Sequence, residues 1–162
     1  MESSRVASLT RLASIALLAG SSTLLAASPS TFGTIVGSAV LCFDQIDNPY
    51  FFSYLSTSFG PPYKREGGAW WFKADANLWG LPITDVMLGD DTSATMFIGA
   101  VVEATPDKLD EAIVAATGVR HPKADDSAFP LRLSNPGSKI IYFKNKSKIY
   151  CDKYQTLPLA RP

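Results

Sequence analysis

Gly68-Ala69-Trp70-Trp71-Phe72-Lys73-Ala74 opens a region, residues 67–104, where apolar and polar positions alternate and turn residues recur at short intervals. Two-residue alternation marks a strand with one face buried. Pro82-Ile83-Thr84-Asp85-Val86-Met87-Leu88 and Thr95-Met96-Phe97-Ile98-Gly99-Ala100-Val101-Val102 repeat it, with Gly89-Asp90-Asp91-Thr92 as the turn between them. Asp75-Ala76-Asn77 predicts another turn, leading into a short strand at Leu78-Trp79-Gly80-Leu81. An antiparallel meander of three or four strands follows. Gly80 and Gly99, inside strand-like runs, predict bulges or a close backbone approach.

Helices flank this region. Before it, Asn48 reads as an N-cap with Pro49 at the first helical position. Tyr50, Phe51, Tyr54, Leu55 and Phe59 recur at helical spacing until Gly60-Pro61-Pro62 ends the run. After it, Thr105 caps a second helix, Pro106 opens it, and Asp107, Asp110 and Glu111 favour its positive end. Leu109, Ile113 and Ala116 form the buried stripe, and Gly118 stops it.

Residues 119–137, interrupted by Pro122, Pro130 and Pro136, read as a long connection. Residues 138–153 read as a hairpin turning near Asn145-Lys146, with Ile141 and Phe143 facing inward alongside Ile149 and Cys151. Thr34 to Phe43, rich in β-branched residues, reads as a first strand, although a short apolar run alone does not separate a strand from a buried helix. The expected order is β-α-β(3–4)-α-β-β. This is an α+β domain with an antiparallel sheet and two helices on one face.

The N-terminus carries Arg5 and Arg11, then a mostly apolar stretch from Leu12 to Ala27 ending in small residues before Ser28-Pro29. This predicts a secretory signal peptide over residues 1–27 and a single domain over 28–162 in a periplasmic or secreted protein. The stretch is shorter and more polar than the roughly 20 apolar residues of a membrane span, so no transmembrane span is expected in the mature chain. An uncleaved N-terminal anchor is the alternative. In an exporting compartment Cys42 and Cys151 are expected to form a disulfide. No paired Cys or His spacing points to zinc, and no cofactor is implied.

The whole chain has 15 Lys+Arg and 15 Asp+Glu. That neutrality hides segregation. Residues 75–126 hold ten acids against three bases, and residues 127–162 hold seven bases against one acid. A uniformly basic nucleic-acid binder is excluded, whereas steering of a charged partner is not.

Trp70-Trp71-Phe72 sends residues 70 and 72 to one sheet face and 71 to the other, so a large aromatic is expected to face outward, with Trp79 as a further candidate. The hairpin's expected outward set, Tyr142, Lys144, Lys148 and Tyr150, forms a basic aromatic surface. The plain alternative covers the tryptophans with the 119–137 loop and leaves the hairpin as a solvated edge. Asp90-Asp91 sits in turn chemistry, and Asp44 and Asp47 are no better placed for catalysis. His121 is the lone imidazole, and no Gly-x-Ser-x-Gly elbow occurs, so no catalytic set is identified.

The run Tyr54-Leu55-Ser56-Thr57-Ser58-Phe59-Gly60-Pro61-Pro62, followed by Gly68-Ala69-Trp70-Trp71-Phe72, resembles the helix, Gly-x-Pro and Trp-bearing strand order of small exported domains of the β-lactamase-inhibitor and outer-membrane-assembly-lipoprotein type. The assembly family's lipoprotein cysteine is absent. The resemblance implies a binding module.

The expectation is a non-catalytic exported binding protein, an inhibitor or immunity-type protein blocking a cell-envelope-directed hydrolase or toxin. Its partner would be a protein rather than a nucleic acid, and a homodimer is compatible. The alternatives are a structural or assembly component of the envelope, and a small hydrolase using carboxylates such as Asp85, Asp90 and Asp91.

Overall fold

The computed structural model describes residues 28–154; the predicted signal peptide and residues 155–162 lie outside them. The elements run α1 (Phe32–Val40), α2 (Asn48–Phe59), β1 (Lys64–Glu66), β2 (Ala69–Leu78), β3 (Leu81–Gly89), β4 (Thr95–Val102), α3 (Pro106–Thr117), β5 (Arg132–Leu133), β6 (Lys139–Phe143) and β7 (Lys146–Tyr154). The strands form one antiparallel sheet in the order β1-β2-β3-β4-β7-β6-β5. The fold is α+β, and Cys42 is bonded to Cys151. No helix among the described residues is long and apolar enough to cross a membrane.

The expected first strand is instead α1. Phe32, Val36, Ala39 and Val40 are spaced four, three and one apart and are all buried, the stripe of a helix rather than the alternation of a strand. Gly37 faces the β2–β3 turn, where a Cβ would sit in ordinary contact with Leu78 and Trp79 at 3.6 and 3.8 Å. Three helices, not two, therefore cover one face. The core behind them joins Val36, Leu55, Phe72, Val86, Ile98, Ile113, Ile140 and Ile149.

The N-cap of α2 is Asp47, one residue before the expected Asn48; its carboxylate accepts the Tyr50 N–H at 3.0 Å. Asn48 instead donates its side-chain amide to the Gly89 carbonyl at 2.7 Å, tying α2 to the end of β3. Helix α3 is as expected at both ends, with Thr105 capping and Gly118 in the left-handed region at φ 77°. Ala116, however, is exposed, and the buried stripe is Pro106, Leu109 and Ile113.

Asp75-Ala76-Asn77 does not turn. Strand β2 runs through it with a register shift between Lys73 and Ala76, and the chain reverses at Trp79-Gly80. Both turn residues have positive φ, 50° and 79°, the geometry of a two-residue hairpin whose twist suits the strands it joins. A second shift between Ile83 and Asp85 sends Ile83 to the helix side and Asp85 to the other.

The hairpin is offset by one residue on β6. Ile140, not Ile141 or Phe143, pairs with Ile149 in the core, and the reversal lies at Lys144-Asn145. The slip moves Ile141 and Phe143 to the opposite face. The 119–137 connection holds β5 and an isolated bridge between Lys123 and Arg132.

Candidate functional site

Trp70 and Trp71 are neighbours in sequence but line different hollows, because successive strand residues face opposite sides. Trp71 faces the side without helices. There Ala69, Trp71 and Met87 pack with Val101, Phe97 and Phe143 as a second apolar cluster. A groove of about 500 Å³ runs over it, walled by Phe97, Ile141, Phe143 and Tyr150. Glycines make room for it. A Cβ on Gly99 would stand 2.7 Å from Met87 Cε and 2.9 Å from Tyr150 Cβ, so its absence lets those side chains close on the sheet.

Trp71 is only 8% exposed, despite having no helix over it. Its cover is the lysine pair Lys64 and Lys148, whose ammonium groups stand 4.2 and 4.8 Å from its ring centroid; Lys148 also lies 3.9 Å from that of Phe143. Lys64, Lys73 and Lys139 on this face each hold a carboxylate: Glu66 at 2.8 Å, Asp85 at 2.9 Å and Asp152 at 2.5 Å. Among the described residues Lys148 has no carboxylate within ion-pair distance. Burial, and then the neighbouring Lys64 charge, holds its ammonium below the ordinary lysine pKa.

Trp70 faces the helix side near the start of β2, between Arg65 of β1 and Leu88 of β3. Phe52 of α2 meets it edge-on at 5.7 Å, and the Arg65 guanidinium lies 4.5 Å above its ring. Arg65 is in turn held by Asp90 and Asp91. A cleft of about 510 Å³ opens here, lined by Asn48, Phe52, Trp70, Asp90, Asp91 and Met96. No residue of 119–137 lines either hollow.

Other expected contact residues lie elsewhere. Phe72 is fully buried in the core, and Trp79 packs beside α1 in the hairpin turn. Tyr142 turns to the helix side, where Phe129, 72% exposed, meets it at 5.1 Å. Lys144 is exposed in the turn. Of the basic aromatic surface expected on the hairpin, only Lys148 and Tyr150 share a face. Folding also cancels much of the charge segregation, since Glu103 pairs with Lys146 and Asp107 with Arg132.

The carboxylates considered for catalysis have structural partners. Asp90, its side chain 2% exposed, accepts the Thr92 hydroxyl at 2.6 Å, Arg65 Nε at 2.6 Å and the Thr92 N–H at 2.8 Å. The Thr92 hydroxyl first, and then Arg65, pull its pKa down to about 2. Burial would raise Asp85, but donation from Lys73, Thr84 and Tyr63 outweighs it and the net shift is downward. Tyr63 is pushed up to about 12 by desolvation and its bond to Asp85.

The structure also assembles a group not expected from the sequence. His121 Nε2 lies 2.7 Å from Ser138 Oγ, Ser138 Oγ lies 2.7 Å from Ser134 Oγ, and Asp110 Oδ1 is 3.4 Å from His121 Nδ1. The order of groups is that of a hydrolytic triad, but His121 and Ser138 are both 0% exposed and Ser134 occupies the serine oxygen. Its evident work is to pin the 119–138 segment to α3, for Asp110 also accepts the His121 N–H at 2.7 Å. No group of three or more His, Cys, Asp or Glu among the described residues is arranged to hold a metal ion.

Comparison with known protein families, curated proteins and solved structures finds no match, so the likeness of residues 54–72 to exported inhibitor-type and assembly-type domains assigns no family and the site rests on its geometry.

Proposed function

We propose that the chain is an exported, non-catalytic binding protein, of inhibitor or immunity type, that blocks an envelope-directed hydrolase or toxin through the Trp70 end of its sheet. One observation carries this reading: a partly exposed tryptophan, stacked under an arginine and edged by Phe52, stands at the mouth of an uncovered cleft. Trp and Arg are the side chains most enriched at interface hot spots, and aromatic anchors held in place lose little freedom on binding. Ion pairing to Asp90 and Asp91 holds Arg65 over the indole before any partner arrives. The action would be steric, with the rigid sheet end occluding the partner's cleft.

Immobilised chain incubated with an envelope extract tests it. Wild type is expected to retain a stoichiometric protein whose hydrolytic or toxic activity falls when the chain is added. The Trp70→Ala variant is expected to lose that protein. Retention of no protein, or equal retention by Trp70→Ala, would contradict the proposal.

A further inference from the structure

We infer that the open-face groove is a binding site for one single-chain anionic amphiphile of the fatty-acid class, its carboxylate on Lys148 Nζ and its tail along Trp71, Met87, Phe97, Ile141 and Phe143. This goes beyond the protein-binding role proposed for the Trp70 end and uses the other face of the sheet.

Charge complementarity selects the head group. Two ammonium groups converge over one indole; Glu66 pairs with Lys64 at 2.8 Å, whereas among the described residues no carboxylate stands within ion-pair distance of Lys148. Lys148 is half-buried against Trp71 and Phe143, so a carboxylate reaching it would pair in a partly dehydrated setting where the attraction is stronger than in water. Burial first, and then the Lys64 charge, depress the Lys148 pKa beyond what the more distant Glu66 and Asp85 restore, and an arriving anion would raise it.

The floor selects the body. Strands β2, β3, β4 and β7 pair with one another across this region, so their backbone N–H and C=O groups are spent in the ladder. An extended peptide laid on such a face would desolvate its own amides without gaining partners. A hydrocarbon chain has no such groups. A volume of about 500 Å³ with apolar and aromatic walls lies within the usual range of small-molecule sites; of the four charged side chains lining it, Lys64, Glu66 and Asp152 are held in ion pairs and Lys148 is not.

The test titrates purified disulfide-bonded protein with dodecanoate, dodecan-1-ol and dodecyltrimethylammonium below micelle formation, following tryptophan fluorescence and the Met87 methyl resonance. Dodecanoate is expected to bind one per chain and shift the Met87 methyl, at least about tenfold more tightly than the alcohol, with the cation weaker still. Lys148→Met keeps the apolar stem over Trp71 and removes only the charge. It is expected to lower dodecanoate affinity about tenfold or more and leave the alcohol unchanged, whereas Lys108→Met on α3 changes neither. Ile141→Asp, which puts a like charge in the groove wall, is expected to abolish dodecanoate binding. Absence of saturable dodecanoate binding by folded wild type would overturn the inference. Equal affinity for acid and alcohol with no effect of Lys148→Met would do so too. Retention of the protein partner by Lys148→Met is expected to be unaltered, so this inference and the Trp70 proposal fail separately.

Discussion

Reducing the disulfide should remove about 5 kcal/mol of stability. Cys42 follows α1 directly, and Cys151 lies in β7 opposite Ile98, so the bond ties the helix across the sheet face to a central strand. The two residues are 109 apart in sequence, and in the chain-entropy description a loop of that size restricts the unfolded ensemble by about 5 kcal/mol. At a urea dependence of roughly 2 kcal/mol per molar, the midpoint should fall by roughly 2.5 M, and the slope should rise as the reduced unfolded chain expands. The assay is urea unfolding of the same protein with and without a thiol-free reductant, followed by circular dichroism. Because no side chain is replaced, cavity effects do not enter; the Cys42→Ala/Cys151→Ala double variant should show a slightly larger loss, since Cys151 is fully buried. Hydrogen exchange should show protection falling at Val36, Ala39 and Val40 along with the sheet, because the helix is core and not an appendage. A stability loss below about 1 kcal/mol with an unchanged slope would refute the reasoning.

Other perturbations follow from named contacts. Gly99→Ala should destabilise by roughly 1–3 kcal/mol in thermal unfolding, because Tyr150 Cβ and the Ile149 carbonyl, at 2.9 and 3.0 Å, have little room to give. Ser138→Ala should cost about 1–3 kcal/mol by leaving His121 Nε2 without a partner in the interior. His121 itself is held below its ordinary 6.5 by burial, so its contribution to stability should be complete above that pH and be lost as pH falls below it, a limb that His121→Gln should flatten in pH-dependent melting. Asp90, at about 2 against an ordinary 3.8, should contribute fully above pH 3.8 and lose that contribution on acidification toward pH 2, and Asp90→Asn should remove this dependence. Lys144→Gly should raise stability by roughly 1 kcal/mol, since Lys144 holds φ 58° in the hairpin turn.

Strong local chemistry was the most readable. Thr105-Pro106 and Gly118 set the ends of α3 by capping geometry that tertiary packing did not override. The alternation at Trp70-Trp71-Phe72 correctly implied that the two tryptophans part company, and the expectation that the chain is exported pointed its two cysteines to each other, the bond the structure shows. Signals shared by competing structures were misread. In residues 34–43 the β-branched content spoke for a strand, while the helical spacing of Phe32, Val36, Ala39 and Val40 was the informative feature. Asp75 and Asn77 are turn formers that β2 absorbs through a register shift, and the actual turn places Trp79, an unusual residue for positive φ, before Gly80.

The one-residue offset at Ile140 had larger consequences. Ile140 and Ile141 are equivalent to any apolar count, and register depends on the pairing with Ile149 across the hairpin. That offset places Ile141 and Phe143 beside Trp71 and makes the groove. Lysines covering the indole, and the burial of the Asp110-His121-Ser138 group, depend on contacts between residues distant in sequence and leave no local pattern.

Site-directed photocrosslinking in cells that produce the chain tests the proposed binding role most directly. With p-benzoylphenylalanine in place of Phe52, at the edge of the Trp70 cleft, one discrete crosslinked envelope protein is expected, and it should vanish when Trp70→Ala is added. With the same group at Phe129, which is highly exposed and packs on Tyr142 of β6, no such product is expected. Crosslinking at position 129 but not at 52, or a product at 52 that survives Trp70→Ala, would contradict the proposal.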